Sequence, residues 1–427
     1  MAKSTENRSL TFSSFVFHLH PPKVHAETLR FTLSFGLGGM AATLVVLLLV
    51  TGLLQLLSYS PQIDQAYLSI QQMYQPGGLG GFIRNCHYWA GNLLVVITFF
   101  HFLRVFLTTA FTGPRRYNWI VGLALFLLVV FANFTGYLMP WDQLAYWAVT
   151  IFTSMLSYIP VIGSELMTLL RGGQEVGSET LATFYAIHTG IIPVLLVVLL
   201  LYHFWMVRKA GGLITQENTS GVAPARIATH PHLVAREVAV VCLILSIILV
   251  FSAVIDAPLG AEANPGQSPN PAKAAWYFMG LQELLLHLYP SFAICVVPLL
   301  VLFFFIRLPF GVKETPAKGV WFGGRKGALN AAISGIAGTG LTFFTVLIDD
   351  TFLIRKGSSQ LSWLWRGLVP TIGCCLILVL LYFILVRIRK CSAGEALIGV
   401  VSCFLCGAAS LTVIGIWLRG AEMALVW

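Results

Sequence analysis

Ten predominantly apolar stretches of this sequence run for 18 residues or more without an Asp, Glu, Lys or Arg. They lie between Arg30 and Asp64, Arg84 and Arg104, Arg116 and Asp142, Asp142 and Glu165, Glu179 and Arg208, Glu237 and Asp256, Glu283 and Arg307, Lys326 and Asp349, Arg366 and Arg387, and Glu395 and Arg419. A helix needs about 20 apolar residues to cross the hydrocarbon of a bilayer. Only 10% of the residues are charged and 57% are hydrophobic, whereas soluble domains carry about 25% charged residues. A chain of 427 residues with so little charge cannot wet the surface of a globule. An ordinary soluble enzyme, a disordered chain and a nucleic-acid binder are excluded. The eight cysteines are too few for a disulfide framework. Cys403 and Cys406 form a CxxC, but no His follows, so covalent haem attachment is not indicated. Their apolar surroundings predict buried free thiols.

The stretch from Asp142 to Glu165 differs from the rest. It holds Tyr146, Trp147, Tyr158 and Pro160, residues suited to a membrane surface. Charge placement agrees. Lys and Arg gather in cytoplasmic loops, so Arg115–Arg116 and Arg208–Lys209 should share one side, which allows two crossings between them and not three. Nine helices follow, with residues 143–178 on the outer face. Arg307, Lys313, Lys318, Arg325 and Lys326, with one acid, Glu314, fall inside. So do Arg387, Arg389 and Lys390, whereas the acids Asp256, Glu262 and Glu283 fall outside with Lys273. The N-terminus is then cytoplasmic and the C-terminus external. The net charge of +9 reflects these loops and not a polyanion partner. The polar segment Met1–Arg30 lacks the apolar core of a cleavable signal peptide.

Polar groups inside membrane helices are expensive and usually functional. The second span carries His87 and His101, 14 apart, and the fourth carries His188 and His203, 15 apart. Both intervals return near one helix face and rise about 21 Å, most of the hydrocarbon depth. Both helices run from outside to inside, so His87 shares a depth with His188, and His101 with His203. Two facing imidazoles at one depth make a bis-His haem site. The ordinary reading of a single membrane histidine is a hydrogen bond to a neighbouring helix, but four in two matched pairs favour two stacked haems. Another metal would lack ligands, since Cys86 points off the histidine face.

The first span has Gly38 and Gly52, and the third Gly122 and Gly136, each pair again 14 apart. Helix–helix packing through small residues would explain either pair alone. The shared interval points to slots where a flat ring approaches the backbone, in an all-α integral membrane fold whose first four spans form a dihaem bundle. Arg84, Arg104, Arg208 and Lys209 are placed to meet haem propionates or to snorkel at helix ends.

The runs RNCHYWAG (84–91), FFHFLRVFLT (99–108), TGYLMPWDQLAYWA (135–148), LLRGGQEVG (169–177), FYAIHTGIIP (184–193) and HFWMVRKAG (203–211) resemble cytochrome b of the Rieske/cytochrome b complexes. The 15-residue interval resembles the photosynthetic bf-type branch. VIDAPLGAEANP (254–265) resembles the family's C-terminal part, here joined to the first by a linker around 211–229. Three parts are expected: 1–213, the dihaem domain; 214–310, the C-terminal part with a quinol-oxidation loop; and 311–427, further spans with no assigned role. The resemblance implies a quinol-oxidising, proton-translocating subunit of a bacterial cytoplasmic membrane, with two b haems. Its partners would be quinone, lipid, a Rieske iron–sulfur protein and a c-type cytochrome, in a homodimeric complex. The quinol site would be framed by Pro140, Trp141 and Asp142 and by Trp276 and Tyr277.

Three departures stand out. The family's Pro-Glu-Trp-Tyr aligns with Ala274-Ala275-Trp276-Tyr277, so the usual carboxylate is Ala275. Glu283 and His287 are the nearest replacement bases, and Tyr277 completes the catalytic candidates, although Glu283 could equally mark the start of the sixth span. The Cys that holds an extra haem in the photosynthetic branch aligns with Gly36. The Arg usual five residues before the outer ligand of the fourth span is Thr183, which shifts weight onto Arg84. Two alternatives stay open: a dihaem quinone-reactive anchor that does not split its electrons, and a transporter or structural subunit without haem.

Overall fold

A computed structural model describes residues 20–215, 225–311, 318–354 and 362–426. Parts of the 211–229 linker, Lys313 and Glu314 lie outside the described residues. Among the described residues nine helices are long and apolar enough to cross a membrane. In chain order with the shorter helices between them, they are α1 (Leu37–Gln55), α3 (Gly80–Leu107), α4 (Gly113–Tyr137), α7 (Ser178–Lys209), α8 (Thr229–Val254), α10 (Phe292–Gly311), α11 (Arg325–Thr351), α12 (Leu364–Arg387) and α13 (Ala393–Trp417). The tenth charge-free stretch becomes α5 (Gln143–Leu156) and part of α6 (Gly163–Arg171), each too short to cross. Two more short helices are α2 (Ala66–Met73) and α9 (Met279–His287). The departure from all-α is a two-stranded antiparallel ribbon, β1 (Lys23–His25) with β2 (Arg226–Ala228).

Large apolar side chains such as Val194, Val250, Ile336 and Leu376 stand exposed on the spans, where lipid rather than protein covers them. Three of the eight cysteines, Cys242, Cys374 and Cys375, are exposed on these faces too. The expectation of buried thiols therefore fails for them: a free Cys is apolar enough to face lipid as readily as a core.

Prolines shape several spans. The wide π turns Ile187–Ile191, Phe292–Val296 and Leu364–Leu368 each end two residues before a proline, Pro193, Pro298 and Pro370. A proline ring clashes with the carbonyl four residues back and offers no N–H to it, and a widened turn relieves the clash.

Two aliphatic and aromatic layers organise the bundle. Leu44, Val45, Leu94, Val129, Leu196 and Ile244 pack together between α1, α3, α4, α7 and α8. Phe134, Leu138, Trp141, Tyr146, Val149 and Phe184 form a second cluster under α5. Arg171 of α6 fastens the surface helices, its Nε donating to Thr153 Oγ1 at 2.8 Å and its Nη2 to Ser154 Oγ at 2.7 Å.

The last three spans close on one another through small residues. A Cβ placed on Gly338 of α11 would lie 2.1 Å from the Cys403 carbonyl oxygen of α13, and one on Gly399 2.6 Å from Leu385 of α12. Small residues let membrane helices approach backbone to backbone, where dispersion and weak polar contacts hold them. Gly338→Leu is expected to force α11 and α13 apart, at or beyond the ~1–3 kcal/mol usual for overpacking. The check is a lowered melting temperature of the detergent-solubilised protein; an unchanged one would mean the two helices are not so close.

Candidate functional site

The four membrane histidines meet in two pairs. The ring centres of His87 and His188 are 6.2 Å apart, and those of His101 and His203 are 6.4 Å apart. An imidazole nitrogen lies about 1.1 Å from its ring centre and a metal–nitrogen bond is ~2.0–2.1 Å, so two imidazoles sharing one ion have centres about 6.3 Å apart. Each pair has the separation that one iron between them requires. Among the described residues, no group of three or more His, Cys, Asp or Glu is placed to hold a different metal ion.

The unequal intervals have a structural reason. The π turn Ile187–Ile191 takes in His188 at the start of the interval to His203 and absorbs one extra residue within the helix. The 15-residue interval of α7 then works as 14 and matches α3.

Each glycine proves to face a histidine. A Cβ on Gly52 would lie 3.3 Å from His87 Cε1, one on Gly38 3.3 Å from His101 Cε1, one on Gly122 3.5 Å from His203 Cε1, and one on Gly136 2.6 Å from His188 Cε1. The glycines thus admit imidazoles, as well as offering room to a ring plane beside them. The aliphatic layer around Val45, Leu94, Val129 and Leu196 falls about midway between the two pairs along the helices.

Two threonines orient the His87–His188 pair and were not picked out from the sequence. Thr51 gives its hydroxyl proton to Leu47 O at 2.7 Å and takes a hydrogen bond from His87 Nδ1 at 2.9 Å. Thr135 bonds Phe131 O in the same way, and its oxygen lies 3.1 Å from His188 Nδ1. With the proton on Nδ1, Nε2 keeps its lone pair for a ligand. The signal was the dipeptide Thr-Gly, which occurs in both glycine-bearing spans, as Thr51-Gly52 and Thr135-Gly136. In the His101–His203 layer, His203 Nδ1 and Arg104 Nη2 are buried without a hydrogen-bond partner, although Arg104 Nε donates to Leu33 O at 3.0 Å. A guanidinium with a free buried donor one turn from His101 suits a propionate.

The other cations fit that role less well. Arg84 is buried and spent on protein groups, donating to Tyr74 Oη at 2.6 Å, Ala257 O at 2.9 Å and Pro258 O at 2.8 Å. Its place one turn from His87 suggested a propionate, but the segment after α8 supplies carbonyls that claim it first. Lys209 lies over the Trp205 ring at 4.9 Å, and Arg208 is exposed at the end of α7. At Gly36, where the bf branch has its extra Cys, φ is +66° and a Cβ would stand 2.9 Å from Val240; a side chain there is both strained and crowded.

Pro140 opens the turn into α5. Trp141 takes a φ of 50°, and Asp142 caps α5, its Oδ1 accepting from Ala145 N at 2.8 Å while Oδ2 accepts from Gly260 N at 2.9 Å. Asp142 thus pins the 254–265 segment to the surface helix. Trp276 Nε1 donates to Asn92 Oδ1 at 2.7 Å. Tyr277 and Trp147 pack against the Phe134–Trp141–Tyr146 cluster, and both Tyr277 Oη and Trp147 Nε1 are buried without a partner. Burial, with Tyr137 and Tyr88 nearby, pushes the Tyr277 phenol well up, so it remains a hydrogen-bond donor.

Glu283 lies in α9, a separate helix ahead of the span α10, so it does not mark the start of that span. It is fully buried, and Arg419 binds it through Nη2 at 2.5 Å and Nε at 3.0 Å. His287 Nε2 lies 3.0 Å from Glu283 Oε1, and its Nδ1 lies 2.6 Å from Asp349 Oδ2.

The chain matches the family model cytochrome b/b6/petB over residues 25–211. It is 40% identical to cytochrome b6 of Synechocystis sp. over 175 residues, 41% of this chain and 79% of that protein. It is also 40% identical to cytochrome b6 of Synechococcus elongatus over 175 residues, 41% of this chain and 81% of that one. The fold is similar to a chain of a solved structure described as a hyperthermophilic respiratory Complex III, with a TM-score of 0.66 at 21% identity, covering 95% of this chain and 96% of that chain. The paired-histidine helical bundle therefore defines a membrane electron-transfer protein. The chain belongs to the cytochrome b/b6 family, which carries haem b.

Two outcomes test the geometry. Gly136→Ala is expected to displace His188 and lower haem content, whereas Gly122→Ala, with 3.5 Å available, should leave haem content near normal; absorbance per protein decides. The ion cluster sets a pH dependence. Burial works against the charged form of His287, but Asp349 and Glu283 outweigh it and raise the imidazole above its ordinary 6.5. Burial also works against the Glu283 carboxylate, but His287 and Arg419 hold it below its ordinary 4.5. The His287 contribution to stability is full below pH 6.5 and is lost as pH rises through the raised value. The Glu283 contribution is present above pH 4.5 and is lost as pH falls through the depressed value. Melting temperatures from pH 5 to 9 should fall on the alkaline side in the native protein and fall less steeply in His287→Gln.

Proposed function

We propose that this chain is the dihaem cytochrome b subunit of a quinol-oxidising, proton-translocating complex in a bacterial cytoplasmic membrane. The carrying observation is the presence of two histidine pairs at iron-bridging separation on the same two helices, α3 and α7. Their spacing along the helix is about 21 Å. His87 with His188 would hold one haem b and His101 with His203 the other. Gly38, Gly52, Gly122 and Gly136 leave room beside each pair, and Arg104 would meet a propionate. When bound, each haem would supply a one-electron iron couple, held by the imidazole nitrogens of its histidine pair.

Quinol oxidation belongs, on this reading, at the outer end, between the Pro140–Asp142 turn and the Trp276–Tyr277 segment. The unpartnered donors Tyr277 Oη and Trp147 Nε1 would bind quinol oxygens, and the surrounding aromatic cluster would exclude water from them. A quinol gives up two electrons and two protons, so the site needs electron acceptors and a base. The proposed acceptors are a Rieske iron–sulfur protein, with a c-type cytochrome beyond it, and the outer histidine pair's group. A cavity of about 310 Å³ lined by His25, Arg115, Ala210, Gly211 and Lys318 lies at the ends of the spans that carry His101 and His203, and it suits quinone reduction at the inner face. The three-part division at 213 and 310, a cytoplasmic N-terminus and a homodimeric assembly belong to the same proposal.

One observation favours a second reading, a dihaem anchor that does not split its electrons: Ala275 lacks the usual carboxylate, and Glu283 is already ion-paired. Membership of the cytochrome b/b6 family leaves a haem-free transporter without support.

The purified protein is expected to show two b-type haems of different potential. His101→Leu or His203→Leu should halve the haem content and abolish one redox transition while the other persists. Loss of both, or a colourless native protein, refutes the assignment. Haem reduction triggered by adding oxidant, with the inner site inhibited, would favour electron splitting over the simple anchor.

A further inference from the structure

The spans α11–α13 gather charge at one place. The end of α11 brings Asp349 and Asp350, the start of α12 brings Arg366, and the residues after α13 bring Arg419. Asp349 and Arg419 meet Glu283 and His287 of α9, six and ten positions beyond Tyr277, while Asp350 and Arg366 join through Arg419 and Asp349. Arg419 Nη1 lies 2.5 Å from Asp350 Oδ2 and Arg366 Nη2 lies 3.2 Å from Asp349 Oδ2. Lys273 approaches from the preceding loop, its Nζ donating to Ile416 O at 2.8 Å.

Three carboxylates (Glu283, Asp349 and Asp350) face two guanidiniums (Arg366 and Arg419), with the Lys273 ammonium as a third cation beside them. His287 sits between two of the carboxylates, and Arg419 Nη2 lies 3.2 Å from its Nε2. Exposure rises along the chain of contacts, from 0% for the side chain of Glu283 to 12% for His287 and 15% for Asp349. A clamp between α9 and the end of α13 needs only Glu283 and Arg419. The histidine bridging a buried carboxylate to a more exposed one goes beyond what a clamp requires.

We propose that α11–α13 complete a proton-release relay, Glu283–His287–Asp349, which stands in for the carboxylate missing at Ala275. This rests on the proposed quinol oxidation at Tyr277. A proton leaving a quinol hydroxyl passes to a Glu283 carboxylate oxygen, whose hydrogen bond from Arg419 yields for that moment. His287 Nε2 takes that proton from Glu283, and the imidazolium so formed releases its Nδ1 proton to Asp349, which passes it to water. The ring then turns over to restore the N–H that faces Asp349. The relay carries no electrons; those go to the one-electron acceptors of the complex. Arg419, Arg366 and Asp350 are positioning residues, which hold the two carboxylates on either side of the imidazole.

The test is the complex purified with its partner subunits, supplied with a synthetic short-chain quinol, with haem spectra recorded for each variant. His287→Gln and Asp349→Asn keep hydrogen bonding but break proton transfer. Each is expected to slow quinol oxidation by about tenfold or more, to flatten its pH profile, and to recover when imidazole or azide is added as a diffusible proton carrier. Asp349→Glu, which keeps a carboxylate, should lose less rate than Asp349→Asn. Unchanged rates and pH profile in either variant with intact haem spectra overturn the relay, as does a loss that no carrier rescues. A native complex that binds haem but does not oxidise quinol overturns the functional reading beneath it instead.

Discussion

The four histidines depend on four places where the facing helix has no side chain. An imidazole projecting from α3 or α7 needs depth, and a Cβ opposite it would take that depth away. Gly38, Gly52, Gly122 and Gly136 supply it, and they tie the register of α1 to α3 and of α4 to α7. Shifting either helix by one residue would bring Thr51 or another β-carbon against a ring. The aliphatic layer between the two histidine pairs depends on the same register, because Val45, Leu94 and Val129 each sit seven residues from a histidine or glycine on their own helix. α7 holds to this spacing only because the π turn before Pro193 absorbs its extra residue.

The end of the bundle beyond His87 and His188 is built by different forces. There the chain leaves the membrane helices, and its backbone groups need explicit partners. Arg84, Asn85 and Asp142 provide them. Arg84 holds the carbonyls of Ala257 and Pro258, Asn85 Nδ2 donates to Asp256 Oδ1 at 2.8 Å, and Asp142 holds Gly260. Arg84 and Asp142, which read as functional from their positions, thereby join Asn85 in fastening the two parts of the chain together. What remains unpartnered in that region, the hydroxyl of Tyr277 and the indole N–H of Trp147, is correspondingly more informative about a ligand.

Much of this was legible in the sequence because it depends on local periodicity. Spans follow from uninterrupted apolar length, and α5 and α6 were kept out of the count by the charges flanking them. The histidine and glycine intervals are helical repeats, so pairing at two depths follows from arithmetic on 3.6 residues per turn. Hydrogen bonding does not follow in this way. Nothing near Arg84 in the chain predicts that its partners lie more than 170 positions away, and nothing near Glu283 predicts Arg419. Thr51 and Thr135 could have been found, since each precedes its glycine directly, but the Thr-Gly pair gains meaning only once the facing histidine is in place.

By itself the sequence determined a nine-span membrane protein with two histidine layers, because hydrophobic length and helical period act within one helix at a time. Only the tertiary structure decided which polar groups are already committed and which are left over. It turned Arg84 from a cofactor contact into a brace, set the glycines against imidazoles, and carried Asp349 of α11 and Arg419, just beyond α13, to α9. The physical reason is that a buried charge must find its partner wherever the fold provides one. That partner is chosen by helix packing across the whole chain, not by neighbours along it.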